Sequence, residues 1–262
     1  MAKKLIIANW KAKPTSLKDA KRIFGDIKKG ESKVNHKKVE VVVCPPYVYL
    51  APLSLSLGNS KVKLGSQDVF RKDMPAAGGS YTGSVSGEML RDLGVKYVIV
   101  GHSERREYSG ETNEIINQKI KTALKNNLKV IFCIGEKNRD HKGDYLNFIK
   151  DQITEGLDKV PKKLFDDIVI AYEPIWAIGK SGREADNPDS VMQMVIYIRK
   201  VLTSIIGNDM ALKTPIIYGA AVDSKNVTGF FENSGVQGLL VGHNSLVPKE
   251  FNSIIKTAGE VK

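Results

Sequence analysis

Residues able to do acid–base chemistry stand directly after short apolar runs in this chain. Glu173 follows Ile168–Tyr172, His102 and Glu104 follow Tyr97–Val100, and Asn9 and Lys11 follow Leu5–Ala8. Glycines take the same place after two further runs, Gly219 after Ile216–Tyr218 and Gly242 after Leu239–Val241. A lysine, a histidine or a glycine turn beside one strand is ordinary; their convergence at one set of strand ends is not. If the runs are parallel strands, a carboxylate, an imidazole, an ammonium and a carboxamide meet at one end of the sheet, beside backbone N–H groups suited to an anion. That set fits proton abstraction next to a carbonyl. The carboxylate takes a proton from carbon, the imidazole donates to the oxygen that becomes negative, and the ammonium supports the developing charge. The glycine turns suggest a phosphate handle, whose binding energy holds the reacting atoms in place. In the stretch Ala171–Gly179 (AYEPIWAIG), Pro174 ends the strand, and small residues with a Trp and a Gly follow. Such a segment is a candidate lid, which the chemistry needs because an enediolate beside a phosphate eliminates in water.

The elements that must position these groups are legible as runs and stripes. Val- and Ile-rich runs recur at Leu5–Ala8, Val39–Cys44, Val62–Gly65, Tyr97–Val100, Lys129–Ile134, Ile168–Tyr172, Ile216–Tyr218 and Leu239–Val241. Between them, Asn113–Lys125 and Pro188–Leu202 carry apolar residues at helical spacing, the second opening on a proline and an acid. Alternating strands and helices imply a parallel sheet with both faces covered. This number of repeats in roughly 250 residues is the size of a (β/α)8 barrel, with the site at the C-terminal ends of the strands. An open doubly wound sheet is the alternative, but Asn9-Trp10-Lys11, and not G-x-G-x-x-G, follows the first strand. No linker or low-complexity stretch divides the chain, so residues 1–262 are read as one α/β barrel domain. The segment Gln67–Gly87 is long for a loop and rich in glycine, with Pro75 inside it and Tyr81-Thr82-Gly83 in its middle. Burial of this loop in another subunit would explain its composition.

Composition excludes several classes. The 262 residues carry a formal charge of +11, but the lysines are scattered and no basic block alternates with aromatics, so nucleic acid is not the expected partner. A positive field instead attracts a small anionic substrate. No apolar run approaches the ~18 residues a membrane span needs. Met1–Lys4 has the charge of a signal peptide, but its apolar run is too short and lacks a cleavage site, so a cytoplasmic protein is expected. Cys44 and Cys133 read as buried free thiols, and no metal-ligand spacing is present.

With the motifs NWK, CPPYVYL, the Tyr81-Thr82-Gly83 loop, VGHSERR, CIGE, AYEPIWAIG, YGAAV and VGHNSL, the chain resembles the triosephosphate isomerase family end to end. That family is itself a general example of a base, an imidazole and a lid acting together. The resemblance implies an isomerase of glycolysis and gluconeogenesis that interconverts dihydroxyacetone phosphate and glyceraldehyde 3-phosphate without a cofactor or metal. By position it makes Glu173 the base and His102 the electrophile, kept neutral by the positive end of the helix that follows. Lys11 becomes the ammonium shared by oxyanion and phosphate, Asn9 its neighbouring donor, and Glu104 the carboxylate that supports Lys11. Gly179, Ala221, Gly242 and His243 become the positions whose backbone N–H groups bind phosphate. It further implies a homodimer through the Gln67–Gly87 loop, with Thr82 reaching into the partner's site.

The chain departs from the family's usual YGGSV and VGGASL at Ala220, Ala221, His243 and Asn244. Ala221 lacks a hydroxyl that helps hold phosphate, and His243 keeps its N–H in place only if φ suits a residue with a Cβ. Ser84 stands where an acid is common, which removes an intersubunit partner of Arg105. The lid continues through Lys180–Pro188 and is longer than usual. These changes are expected to weaken the phosphate grip or alter lid kinetics while leaving the chemistry, unless Lys180 or His243 supplies compensating charge. Two other readings are a non-catalytic phosphometabolite-binding barrel, for which Glu173 has no use, and a barrel isomerase or aldolase for another small sugar phosphate. A Schiff-base aldolase would want a lysine inside a strand, whereas Lys11 follows one.

Overall fold

A computed structural model describes residues 3–72, 79–140, 142–180 and 186–261. Strands β1 (Lys4–Asn9), β2 (Val39–Cys44), β3 (Lys63–Ser66), β4 (Tyr97–Val100), β5 (Lys129–Ile134), β6 (Ile168–Tyr172), β7 (Ile216–Tyr218) and β8 (Gly238–Val241) pair in sequence order into a closed parallel barrel. β1 closes on β8 with Ala8 opposite Val241, and β6 sets Tyr172 opposite Tyr218 of β7. The β-branched runs lie where the apolar pattern places them, because each strand is covered on both faces. The helices among the described residues are α1 (Leu17–Glu31), α2 (Tyr47–Ser54), α3 (Gly87–Asp92), α4 (Ser103–Tyr108), α5 (Asn113–Lys125), α6 (Asp144–Gly156), α7 (Pro188–Ile206), α8 (Asn208–Lys213), α9 (Val227–Asn233) and α10 (Pro248–Glu260).

Alternation along the strands sorts side chains into two cores. Ile6 and Ala8 of β1 join the cluster shared with the helices, which also holds Phe24, Ile120, Ile198 and Phe251. Leu5 and Ile7 belong to a second cluster made of strand residues alone, with Ile99, Ile131, Val169, Ala171, Ile217 and Leu240, and this one fills the barrel. Both cysteines are free and sit in it, Cys44 from β2 and Cys133 from β5. Carried one step further toward the strand ends, the inward alternation reaches Asn9, Glu173, Gly219 and Gly242. The barrel parity therefore points these four positions into its mouth.

Local signals set the helix ends. The side chains of Ser16, Thr112 and Asn187 accept backbone N–H bonds at the starts of α1, α5 and α7. α7 runs past Leu202 to Ile206, because Thr203–Ile206 carries nothing that breaks a helix; Gly207, at φ 88°, ends it. Lys119, on the apolar face of α5, is buried and bonds Asp68 and Glu111, each at 2.5 Å. Arg105 adds bonds of 2.9 Å to Asp68 and 2.5 Å to Glu111. Arg105 thus has two carboxylate partners inside its own chain, whatever stands at position 84. Burial raises the pKa of Asp68 although both cations oppose the shift.

Candidate active site

The mouth of the barrel opens into a cavity of about 860 Å³ lined by Asn9, Lys11, His102, Glu104, Glu173, Gly179, Ala221, Gly242 and His243. Every site residue read from the sequence therefore reaches one cavity. Glu173 is 2% exposed and its Oε1 lies 3.5 Å from His102 Nε2. Two glycines make that placement sterically available. A Cβ on Gly135 would fall 1.8 Å from the Glu173 carbonyl oxygen, and one on Gly219 would fall 2.9 Å from Glu173 Cγ. Burial first, then the Glu173 charge, raises the Cys133 thiol well above the usual thiol range, so Cys133 stays protonated in the barrel core near the carboxylate.

His102 is set by the turn that precedes it. Gly101 has φ 76°, a left-handed conformation, and turns the chain out of β4. Arg106 braces the turn: its Nε donates to the Gly101 carbonyl at 2.8 Å, and other guanidinium nitrogens donate to Asn113 at 2.6 Å and to the Cys133 carbonyl at 3.3 Å. The Glu104 backbone N–H then donates to His102 Nδ1 at 3.2 Å. With Nδ1 used as an acceptor, the ring proton sits on Nε2, the nitrogen that faces Glu173 and the cavity.

Lys11 adopts φ 53°, a left-handed conformation that a residue with a Cβ seldom takes. Surrounding bonds hold it there. Its N–H donates to Asn9 Oδ1 at 3.1 Å, and the Gln67 amide donates to the carbonyls of Lys11 at 2.9 Å and Cys44 at 2.8 Å. Its ammonium meets Glu104 at 2.6 Å, from a residue 93 positions away. Gln67 escaped the sequence reading. It is the first residue after β3, the same post-strand position that singled out the others.

The segment after Glu173 is anchored at both ends to one polar network. Trp176 Nε1 and the Tyr172 hydroxyl donate to Glu136 at 3.0 and 2.8 Å. Arg139 donates to Glu136 at 2.9 Å and to the Tyr172 hydroxyl at 2.7 Å, and it lies 3.5 Å from Asp186, just before α7. Burial raises the Asp186 pKa against the pull of Ser190 and Arg139. Residues 181–185, where the longer lid was read from the sequence, lie outside the described residues.

At the candidate phosphate end, Gly179 has φ 74°, whereas His243 is outside the positive-φ region, so its Cβ does not conflict with its backbone. The turn after β7 runs through residues 219–226 before α9 begins, and a short 3-10 helix, His243–Leu246, follows Gly242. Groups of His, Cys, Asp and Glu able to hold a metal ion are absent among the described residues.

Comparison with known proteins agrees with this geometry. The family model described as triosephosphate isomerase matches residues 4–258. The triosephosphate isomerase of Dictyoglomus thermophilum is 40% identical over 260 residues, covering 98% of this chain and all (100%) of its own length. That of Alkaliphilus oremlandii is 39% identical over 256 residues, covering 97% and 99%, and that of Dehalococcoides mccartyi is 38% identical over 259 residues, covering 98% and 97%. A match of this extent, over a closed barrel whose mouth gathers the family's motif residues, places the chain in the triosephosphate isomerase family.

Proposed function

We propose that this chain interconverts dihydroxyacetone phosphate and glyceraldehyde 3-phosphate with Glu173 as the single base and His102 and Lys11 as the groups that hold the oxyanion. The observation that carries the assignment is the buried Glu173 carboxylate facing His102 Nε2 at 3.5 Å in the cavity that also takes Lys11. With the substrate carbonyl oxygen between His102 and Lys11, Glu173 removes a proton from the adjacent carbon, and the electron pair moves to oxygen. The His102 Nε2 proton and the Lys11 ammonium stabilise the enediolate, and His102 moves a proton between its two oxygens. Glu173 then returns its proton to the neighbouring carbon, which converts ketose to aldose with no net change in atoms or electrons. Glu104 keeps Lys11 in place, Asn9 holds the Lys11 backbone, and the N–H groups of Gly179, Ala221, Gly242 and His243 take the phosphate.

Assembly as a homodimer belongs to the same proposal. Thr82 and Gly83 are exposed and follow Tyr81, whose ring meets that of Phe70 at 4.7 Å. Among the described residues no helix is long and apolar enough to cross a membrane, and we place the enzyme in the cytoplasm.

The test is a coupled isomerase assay on the purified protein and on Glu173→Gln, which keeps shape and removes the base. Wild-type turnover with a loss of at least about 100-fold in the variant is expected. Equal rates would refute the assignment of Glu173. Phosphate binding without any wild-type turnover would favour the non-catalytic barrel.

A further inference from the structure

The two turns of the candidate phosphate end are tied to each other by side chains. In the turn after β7, Asn226 Nδ2 donates to the Ala221 carbonyl at 2.9 Å, and Asp223 accepts the N–H groups of Lys225 and Asn226 at 2.9 and 3.0 Å. The turn after β8 and the helix beyond it supply two further bonds. Asn244 Nδ2 donates to the Val222 carbonyl at 2.6 Å, and Glu250 Oε1 accepts the Ser224 N–H at 2.6 Å. Ser245 closes the second turn on itself, its hydroxyl donating to the Gly242 carbonyl at 2.7 Å.

A peptide group is planar, so holding its carbonyl fixes the direction of the whole unit. Asn244, one residue beyond His243, therefore orients the unit made of the Val222 carbonyl and the Asp223 N–H; that N–H donates to Asn226 Oδ1 at 3.0 Å, and Asn226 in turn holds the Ala221 carbonyl, so the clamp reaches Ala221 through Asn226. Ala221 is a methyl where a serine hydroxyl would reach the anion directly, and the usual alanine at position 244 has no donor for the Val222 carbonyl. The loss of a hydroxyl on one turn and the gain of an amide on the other meet on adjacent residues, 221 and 222. We infer that Asn244 is a positioning residue for the phosphate site: it clamps the turn after β7 to the turn after β8 and so presets the N–H groups that hold the phosphate of the substrate. This deepens the phosphate assignment proposed above and rests on it.

The experiment compares Asn244→Ala, Ala221→Ser and the double variant by steady-state kinetics, inhibition by inorganic phosphate, and the rise in melting temperature that inorganic phosphate produces. Loss of one such bond is expected to raise KM and the phosphate inhibition constant about 5- to 30-fold, and to lower kcat by less. In the Ala221→Ser background the same change should cost less, because a direct hydroxyl contact then shares the task. Asn244→Leu, which keeps size and stays uncharged but lacks the donor, should follow Asn244→Ala and serves if the alanine variant does not fold. Unchanged KM and phosphate inhibition in a folded variant would overturn the inference, as would equal falls in kcat and kcat/KM. If the wild type lacked isomerase activity, the functional reading would fail, while the phosphate-dependent melting shift would still decide the role of Asn244.

Discussion

Replacing Gly219 by alanine tests whether the base is seated by an absence of atoms. Gly219 is outside the positive-φ region, so an alanine fits its backbone, and the effect comes from the new Cβ alone. That atom would lie 2.9 Å from Glu173 Cγ, 3.3 Å from Leu240 Cβ and 3.4 Å from Glu173 Oε1. Carbon atoms rest at about 3.5 Å or more, so the closest contact is short by roughly 0.6 Å. The Leu240 contact is a Cβ fixed by the backbone of β8, whereas the Glu173 contacts are side-chain atoms that rotate into the cavity. The carboxylate is therefore displaced from its place opposite His102. Misplacement on the scale of an ångström costs up to about 100-fold, so kcat should fall about 10- to 100-fold while KM changes less. Overpacking of this kind costs about 1–3 kcal/mol, toward the lower end here because a cavity is available, or about 2–4 °C in Tm. Gly229→Ala in α9 is the control: its Cβ would meet nothing closer than Pro188 Cγ at 3.5 Å, and both rate and fold should persist. Wild-type kcat in a folded Gly219→Ala protein would refute the reasoning that this glycine makes room for the base.

Gln67→Leu removes the donor to the carbonyls of Lys11 and Cys44; at about 1–3 kcal/mol for each stranded acceptor, it should lower Tm and raise KM about 10-fold as the left-handed Lys11 backbone relaxes. An unchanged KM would separate Gln67 from the site. Asp140 accepts the N–H groups of Lys142, Asp144 and Tyr145, and the Asp144 bond leads the causes that hold its pKa below the usual value. A depressed folded pKa stabilises above the unfolded value and is lost as pH falls through the folded one. Asp140→Ala should therefore melt lower than wild type at pH 7, with the gap narrowing below about pH 4; a gap independent of pH would contradict this. Light scattering at micromolar concentration should give about twice the chain mass of 28.9 kDa, and the chain mass itself would refute the dimer.

The barrel was legible because its strands are nearly continuous apolar runs. β2, β4, β5, β6 and β7 begin and end where those runs do, β1 and β8 differ by flanking residues at their ends, and β3 (Lys63–Ser66) is shifted one residue from the run Val62–Gly65. The groups at strand ends were legible because the side-chain period carries inward positions to the mouth, which is why Asn9 and Glu173 emerged from pattern alone. What stayed hidden depends on contacts between distant residues. Gln67 bonds a carbonyl 56 positions away and Asn244 one 22 positions away, and neither follows from any local period. Lys119, a charged residue on the apolar face of α5, is buried through two carboxylates that the helical period does not reveal. Gly135 was visible only as a residue of CIGE; its role emerges from the Glu173 backbone that passes over it. The acids that Arg105 meets in its own chain, Asp68 and Glu111, come from before β4 and after α4, and no local spacing announces them.

The central claim is that one carboxylate moves a proton between two carbons through an enediolate. Its most direct measurement is the conversion of dihydroxyacetone phosphate in D2O, followed by NMR on both substrate and product. Deuterium is expected on the carbon next to the carbonyl during wild-type turnover, because the proton held on Glu173 exchanges with solvent before it is returned. Loss of both exchange and turnover, by about 100-fold or more, is expected in Glu173→Gln. Turnover without any solvent hydrogen in the product, or undiminished exchange in Glu173→Gln, would contradict the claim.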